Sequence, residues 1–75
     1  MRAFTILISN SYGQMTECTE VLGNIPASQA LQALFDLGRL NPSYGYFLGI
    51  MVGGNIVRIA EINDGTPSTL YVIGG

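Results

Sequence analysis

The feature that most limits how this chain can fold is a single change of hydrophobic period, at residues 24–42. In this stretch, NIPASQALQALFDLGRLNP, apolar residues recur at helical spacing and form one face: Ala30, Leu31, Leu34 and Leu37. Pro26 is suited to the first helical turn, where its missing N–H is not needed. Gly38 can end the helix and Pro42 prevents it from resuming. The sequence therefore predicts one helix, of about three turns.

The segments on either side of this helix are typical of β-strands. Two precede it and three follow it, at residues 2–9, 15–23, 44–52, 56–62 and 68–73. Turn-forming residues separate the strands, and the Gly-Gly-Asn at 53–55 predicts a tight hairpin. The order β-β-α-β-β-β predicts one α+β domain in two layers, with the helix covering one face of a mixed sheet.

Alternation along the later strands assigns side chains to faces of that sheet. Along 44–52 one face carries Tyr46, Leu48, Ile50 and Val52, and the other carries Gly45, Phe47, Gly49 and Met51. Along 68–73, Leu70 and Val72 oppose Tyr71 and Ile73, and we expect the first pair in the core. The first strand could bury either Phe4, Ile6 and Ile8 or the alternate set, so its inner face stays open.

Composition argues against several classes of function. The net charge is −2, with three arginines and no lysine, so the chain lacks the basic surface that nucleic-acid binding requires. Its longest apolar run falls well short of the roughly 20 residues of a membrane span, and no secretory signal is evident. We therefore expect a cytoplasmic protein. Cys18 is the only cysteine, which excludes an internal disulfide and a zinc cluster.

The side chains offer little for catalysis. Histidine and lysine are absent, and with them the commonest general base and the Schiff-base amine. Glu17 and Glu20 fall on opposite faces of a predicted strand, so they are not a paired acid and base. We expect that the chain is not an enzyme and binds no cofactor or metal. Its hydrophobic fraction of 48% suggests apolar surface left over for a partner.

The last predicted strand runs directly into Gly74 and Gly75. We expect a folded domain at 1–73 and a flexible tail at 74–75. Two residues without side chains adopt almost any φ and ψ, which suits a tail that enters a narrow channel in another protein. A frayed or trimmed terminus is the alternative explanation.

The same element order is that of the β-grasp, or ubiquitin-like, fold, and residues 28–75 carry a closer resemblance. The stretches LQALFDLGRL, GIMVGGNIVR and NDGTPSTLYVIGG resemble the small sulfur carriers of the ThiS and MoaD kind. Those proteins have a leucine-rich helix, a glycine hairpin, an Asp-Gly turn, an apolar final strand and a terminal Gly-Gly. Only five residues separate Arg58 from Asp64, fewer than is usual in the sulfur carriers.

The resemblance implies that the Gly75 carboxylate is adenylated, with ATP, by an activating enzyme of the ThiF or MoeB type. The product would be a thiocarboxylate that delivers sulfur to an acceptor. Two alternatives remain open. One is a bacterial ubiquitin-like modifier joined to a target protein through Gly75, as in phage-defence systems. The other is a non-covalent interaction or inhibitor module encoded by a phage or plasmid.

In each case we expect a partner to dock on the open face of the sheet. Tyr71 and Ile73 should lie there, with Phe47 and Met51 beside them, because the opposite alternation is committed to the core. A second copy of the chain covering this face, as a homodimer, is the other possibility.

Overall fold

Six elements follow one another in the computed structural model, which describes residues 1–10 and 12–74. They are β1 (Arg2–Ser9), β2 (Met15–Leu22), α1 (Ala27–Asp36), β3 (Tyr46–Val52), β4 (Asn55–Arg58) and β5 (Thr69–Gly74). The predicted α+β class is confirmed, with a single helix packed on a five-stranded mixed sheet.

The sheet has the strand order β2-β1-β5-β3-β4. Its one parallel pair is β1 with β5, and all other neighbours are antiparallel. The first and last strands of the chain are thus adjacent in the middle of the sheet. β5 is hydrogen-bonded on both sides, so its direction and position are fixed along most of its length.

The core lies between α1 and one face of the sheet. Phe4, Ile6 and Ile8 are buried, which answers the question that the sequence left open for β1. The predicted inner faces of β5 and of the start of β3 are confirmed by the burial of Leu70, Val72 and Leu48. Among the described residues, the buried apolar side chains are Phe4, Ile6, Ile8, Cys18, Leu22, Ala27, Ala30, Leu34, Leu40, Leu48, Ile62, Leu70 and Val72.

Backbone hydrogen bonds define the end of α1. Gly38 has φ 74°, and its N–H donates to the carbonyl of Phe35 at 3.0 Å. The N–H of Arg39 donates to the carbonyl of Leu34 at 2.9 Å, which completes a Schellman motif. The prediction that Gly38 ends the helix is therefore confirmed.

The expectation that Leu37 belongs to the buried helix face was wrong. The helix ends at Asp36, and Leu37 is the C-cap residue and is 57% exposed. Leu40, which follows the Schellman turn, is only 5% exposed and fills the core in its place.

The fourth strand is shorter than predicted and ends at Arg58 rather than at residue 62. Beyond it the chain pairs with the segment before the helix. Ala27 N–H donates to Ala60 at 2.8 Å, and Ile62 N–H donates to Ile25 at 2.8 Å. This pairing buries Ile62 and satisfies the first N–H of α1, which has no side-chain cap.

The β3–β4 hairpin has a tighter turn than we expected. Gly53 and Gly54 form a two-residue loop with φ of 57° and 85°, as a type I′ turn requires, and Asn55 already belongs to β4. Val52, predicted on the inner face of β3, is 52% exposed because this end of the hairpin extends past the helix. β3 itself begins at Tyr46, two residues later than predicted.

None of the helical structure within the described residues is long and apolar enough to cross a membrane.

A candidate interaction surface beside the C-terminal strand

The face of the sheet away from α1 carries all four side chains that the sequence assigned to partner binding. Strand register brings them into neighbouring rows. Phe47 lies opposite Ile73, and Tyr71 lies between Leu7 of β1 and Gly49 of β3. Met51 lies opposite Ile56 of β4. We call this surface the open-face patch; its members are Leu7, Phe47, Gly49, Met51, Ile56, Arg58, Tyr71 and Ile73.

Phe47, Ile73 and Arg58 form the part of the patch nearest the end of β5. The guanidinium carbon of Arg58 lies 4.7 Å from the centroid of the Phe47 ring, a cation–π contact. Arg58 makes no ion pair with any described residue. Its charge is therefore available to a partner, while its aliphatic stem and the ring present apolar surface.

At the middle of the patch, Gly49 is buried although it faces away from the core. A Cβ at this position would lie 2.7 Å from Cγ2 of Ile56 and 2.9 Å from the carbonyl oxygen of Val57. The absence of a side chain at Gly49 thus lets Ile56 fold over β3. The result is a continuous apolar surface between Tyr71 and the hairpin.

The far end of the patch is its most exposed part. Met51 is 43% exposed and Ile56 is 39% exposed. The hairpin also exposes apolar side chains, Val52 and Val57, on the side that faces the helix layer. Both sides of this hairpin are therefore apolar and accessible.

Gly74 is the last described residue of β5, and the strand thus extends one residue into the predicted flexible tail. Gly74 lies opposite Tyr46, whose ring occupies the place that a side chain at 74 would take. The Tyr46 hydroxyl accepts a hydrogen bond from Asn41 N–H at 3.0 Å, and its ring meets Phe35 edge to face at 5.7 Å. Gly75, the predicted site of activation, lies outside the described residues.

A shallow cleft of about 570 Å³ opens where these features meet. Its walls come from the ends of β3, β4 and β5: Gly45, Tyr46, Phe47, Arg58, Ile73 and Gly74. The cleft is apolar apart from the guanidinium of Arg58 and the exposed backbone. It could hold an extended apolar segment with an acidic group at one end.

Cys18 and the Arg39–Glu20 ion pair lie outside the open-face patch. Burial raises the pKa of the Cys18 thiol, and of the nearby charges only Arg39 opposes this shift, while Glu20 and Glu17 add to it. The thiol is therefore protonated at neutral pH and is a poor nucleophile. Arg39 Nε lies 3.0 Å from Glu20 Oε1, which connects the loop after α1 to β2. The described residues contain no cluster of potential metal ligands.

Sequence reasoning missed Arg58 and Ile56 as members of the patch. They lie two residues apart and so share one face of β4. Whether that face is the one that carries Met51 depends on the register of the β3–β4 hairpin, which the sequence analysis did not fix. Leu7 was missed because the inner face of β1 had been left undecided.

Comparison with models of known protein families, with curated proteins and with solved structures found no match to this chain.

Proposed function

We propose that the chain is a β-grasp carrier protein whose reactive group is the carboxylate of Gly75. The support for the fold is a mixed sheet in the order β2-β1-β5-β3-β4 with one helix on one face, which is compatible with a β-grasp. The carrier role is supported by the resemblance of residues 28–75 to the sulfur carriers.

One observation carries the proposal furthest: β5 ends at Gly74 directly beside the open-face patch. Leu70 and Val72 are fully buried, so the strand provides a rigid base up to the last described residue, Gly74. An activating enzyme that binds Phe47, Ile73 and Arg58 would thus keep the Gly75 carboxylate within reach of its own nucleotide.

The chemistry follows from the poor electrophilicity of a carboxylate. A Gly75 carboxylate oxygen attacks the α-phosphorus of ATP, which breaks the bond to pyrophosphate and forms an acyl-adenylate. Hydrosulfide then attacks the acyl carbon and expels AMP, which leaves a thiocarboxylate. A cysteine thiolate of the enzyme would expel AMP in the same way and leave a thioester for transfer to a protein amine.

The chain is the substrate of this reaction rather than its catalyst, and the partners are a ThiF- or MoeB-type enzyme and then a sulfur acceptor. In the second branch the acceptor is a target protein. The chain has no lysine, so a modifier of this kind could not be linked to its own lysine side chains.

The test is intact mass spectrometry after incubation with ATP and a ThiF-type enzyme, with and without hydrosulfide. The proposal requires the carboxylate to lie at Gly75, so the mass of the protein from its native source is measured first. Addition of an adenylate, or exchange of one oxygen for sulfur, is the expected result. The matched control is the same chain with a C-terminal amide, which cannot be adenylated.

An unchanged mass in a chain that ends at Gly75, with every ThiF-type enzyme encoded beside this chain, would refute the carrier function. It would then favour the second candidate, a non-covalent interaction module. That candidate is supported by the exposed apolar side chains of the β3–β4 hairpin. A module of this kind keeps its binding when Gly75 is removed, whereas a carrier loses its activity.

The open-face patch can be tested separately from the carboxylate. Tyr71→Ala removes the central aromatic side chain of the patch and leaves the buried residues Leu70 and Val72 in place. Weaker binding of the activating enzyme is the expected result. Binding and self-association that are both unchanged would rule out this face as a docking surface.

A further inference from the structure

The outer edge of β4 carries backbone groups that no described residue satisfies. β4 is an edge strand of the sheet, with β3 as its neighbour on the inner side. Asn55 pairs with Val52 across the turn, and Ile59 N–H donates to the carbonyl of Leu48 at 2.9 Å. The odd-numbered residues between positions 55 and 59 therefore direct their N–H and C=O groups toward β3. Ile56 and Arg58 must then direct theirs outward, because these directions alternate along an antiparallel strand.

The open part of this edge is short and has definite ends. On one side it is limited by the Gly53–Gly54 turn. On the other side the carbonyl of Ala60 already accepts the N–H of Ala27, and Pro26 forms a bridge with Glu61. Four outward groups are left, one N–H and one C=O each from Ile56 and Arg58.

Apart from its short length, β4 lacks the features by which sheet edges usually avoid pairing. β4 contains no proline, and its only charge is Arg58, which is drawn over the ring of Phe47. Ile56 and Val57 are 39% and 45% exposed on opposite faces. The other edge strand, β2, carries two acidic residues, Glu17 and Glu20, of which Glu20 pairs with Arg39, and charged side chains on an edge strand disfavour pairing.

The geometry points to a second copy of this chain as the occupant of the β4 edge. In this arrangement β4 pairs antiparallel with its own counterpart across a twofold axis that passes through Val57. Two five-stranded sheets then join into one of ten. The inference is independent of the proposed carrier function and of the homodimer considered for the open face.

The register follows from the groups that have to be satisfied. With Val57 on the axis, Ile56 of each copy lies opposite Arg58 of the other, and the four hydrogen bonds use every outward group of both copies. Shifting the axis toward the turn would place Arg58 opposite Gly54. Shifting it the other way would put the two Arg58 side chains opposite each other and would require the occupied carbonyl of Ala60.

The same register explains the apolar side chains of the hairpin. The two Val57 side chains meet on the helix side of the joined sheet. On the other face each Ile56 lies beside the aliphatic stem of an Arg58, which keeps the two positive charges apart.

Sedimentation equilibrium of the full chain, from about 10 µM to about 1 mM, tests the inference. The wild type should show a concentration-dependent monomer–dimer equilibrium. Val57→Lys places two like charges on the axis and should weaken association on the order of a hundredfold. The matched control is Val21→Lys, a valine on the opposite edge strand that is 58% exposed, and it should leave the equilibrium unchanged.

Two further variants keep the result decisive even if a lysine disturbs folding. Mixing Val57→Lys with Val57→Glu should restore the dimer, because opposite charges then meet at the axis. Val57→Cys should form a disulfide-linked dimer, since Cα atoms in a non-hydrogen-bonded pair lie about 4.5 Å apart. Ile56→Cys faces Arg58 rather than itself and should not form one.

A wild type that stays monomeric over this range would overturn the inference. So would equal weakening by the two lysine variants, which would indicate a different interface. Cross-linking through Val21→Cys and not through Val57→Cys would assign the contact to β2 instead.

Discussion

The ring of Tyr46 lies against Gly74, and no side chain could be added at 74 without overlapping that ring. Tyr46 cannot move away freely, because its hydroxyl accepts a hydrogen bond from Asn41 N–H and its ring contacts Phe35. The first glycine of the pair therefore has a packing role in the folded domain. A carrier function requires flexibility only of Gly75, or requires Gly74 to separate from β3 when an enzyme binds.

This contact predicts that Gly74→Ala destabilises the folded chain. The added methyl group must displace the Tyr46 ring, and such overpacking typically costs about 1–3 kcal/mol. Urea denaturation measures the change in the free energy of unfolding. Gly45→Ala is the matched control, since a Cβ at 45 meets nothing within 4 Å and the change should cost much less.

If the two alanine variants unfold at the same urea concentration, Gly74 is not packed against Tyr46 in solution and belongs to the tail, as the sequence suggested. A difference between them would instead explain Gly74 without reference to any enzyme. The case for activation would then depend on Gly75 and on the open-face patch.

The close approach of β3 and β4 at Gly49 gives a second prediction. Gly49→Ala should destabilise the protein by about 1–3 kcal/mol, because the new methyl group meets both Ile56 Cγ2 and the Val57 carbonyl. Ile56→Ala removes the first of these contacts and leaves the backbone contact.

A double-mutant cycle measured by urea denaturation tests this explanation. The double variant Gly49→Ala/Ile56→Ala should recover part, but not all, of the loss. Strictly additive effects would show that the Ile56 side chain does not cover Gly49.

The α+β class and the inner faces of β5 and of the start of β3 could be predicted from the sequence because each depends on local spacing, whereas the inner face of β1 could not. Leu70 and Val72 alternate with Tyr71 and Ile73 within one short strand, and Gly38 ends the helix by its own backbone preference. The exposure of Leu37 and the early end of β4 depend instead on where the chain goes next. No local pattern shows that Leu40 returns to the core or that Ala60 pairs with Ala27.

The same distinction applies to the candidate site. Phe47, Met51, Tyr71 and Ile73 were placed on one face by alternation alone. The contact of Arg58 with Phe47 depends on the register of β3 with β4, which the Gly53–Gly54 turn fixes. The packing of Tyr46 on Gly74 depends on a pairing between strands more than twenty residues apart in sequence. Neither could be read from the strands separately.

The Gly53–Gly54 turn gives a third prediction. Gly53→Asn should stabilise the hairpin by about 0.4–1 kcal/mol, because asparagine tolerates the φ of 57° and restricts the unfolded chain more than glycine does. Gly54→Val, at φ 85°, should destabilise it because a β-branched residue is strained there. Thermal unfolding of the two variants provides the measurement, and a stable valine variant would argue against a type I′ turn.

The buried thiol of Cys18 gives a prediction for alkaline pH. Its pKa is raised above the ordinary value of 9.0, chiefly by burial, so the folded chain keeps a proton that the unfolded chain releases. The thiol therefore makes its full contribution to the free energy of unfolding below about pH 9. That contribution falls as the pH rises toward the raised pKa, with a slope of at most about 1.4 kcal/mol per pH unit. Urea unfolding of the wild type and of Cys18→Ala, from about pH 7 to about pH 10, isolates the contribution of the thiol, because all other side chains are common to the two proteins. The difference in the free energy of unfolding between the two proteins should shrink between about pH 9 and about pH 10, because alanine has no proton to release. Parallel curves would mean that the thiol titrates equally in the folded and unfolded chains, and that β2 does not bury Cys18 in solution.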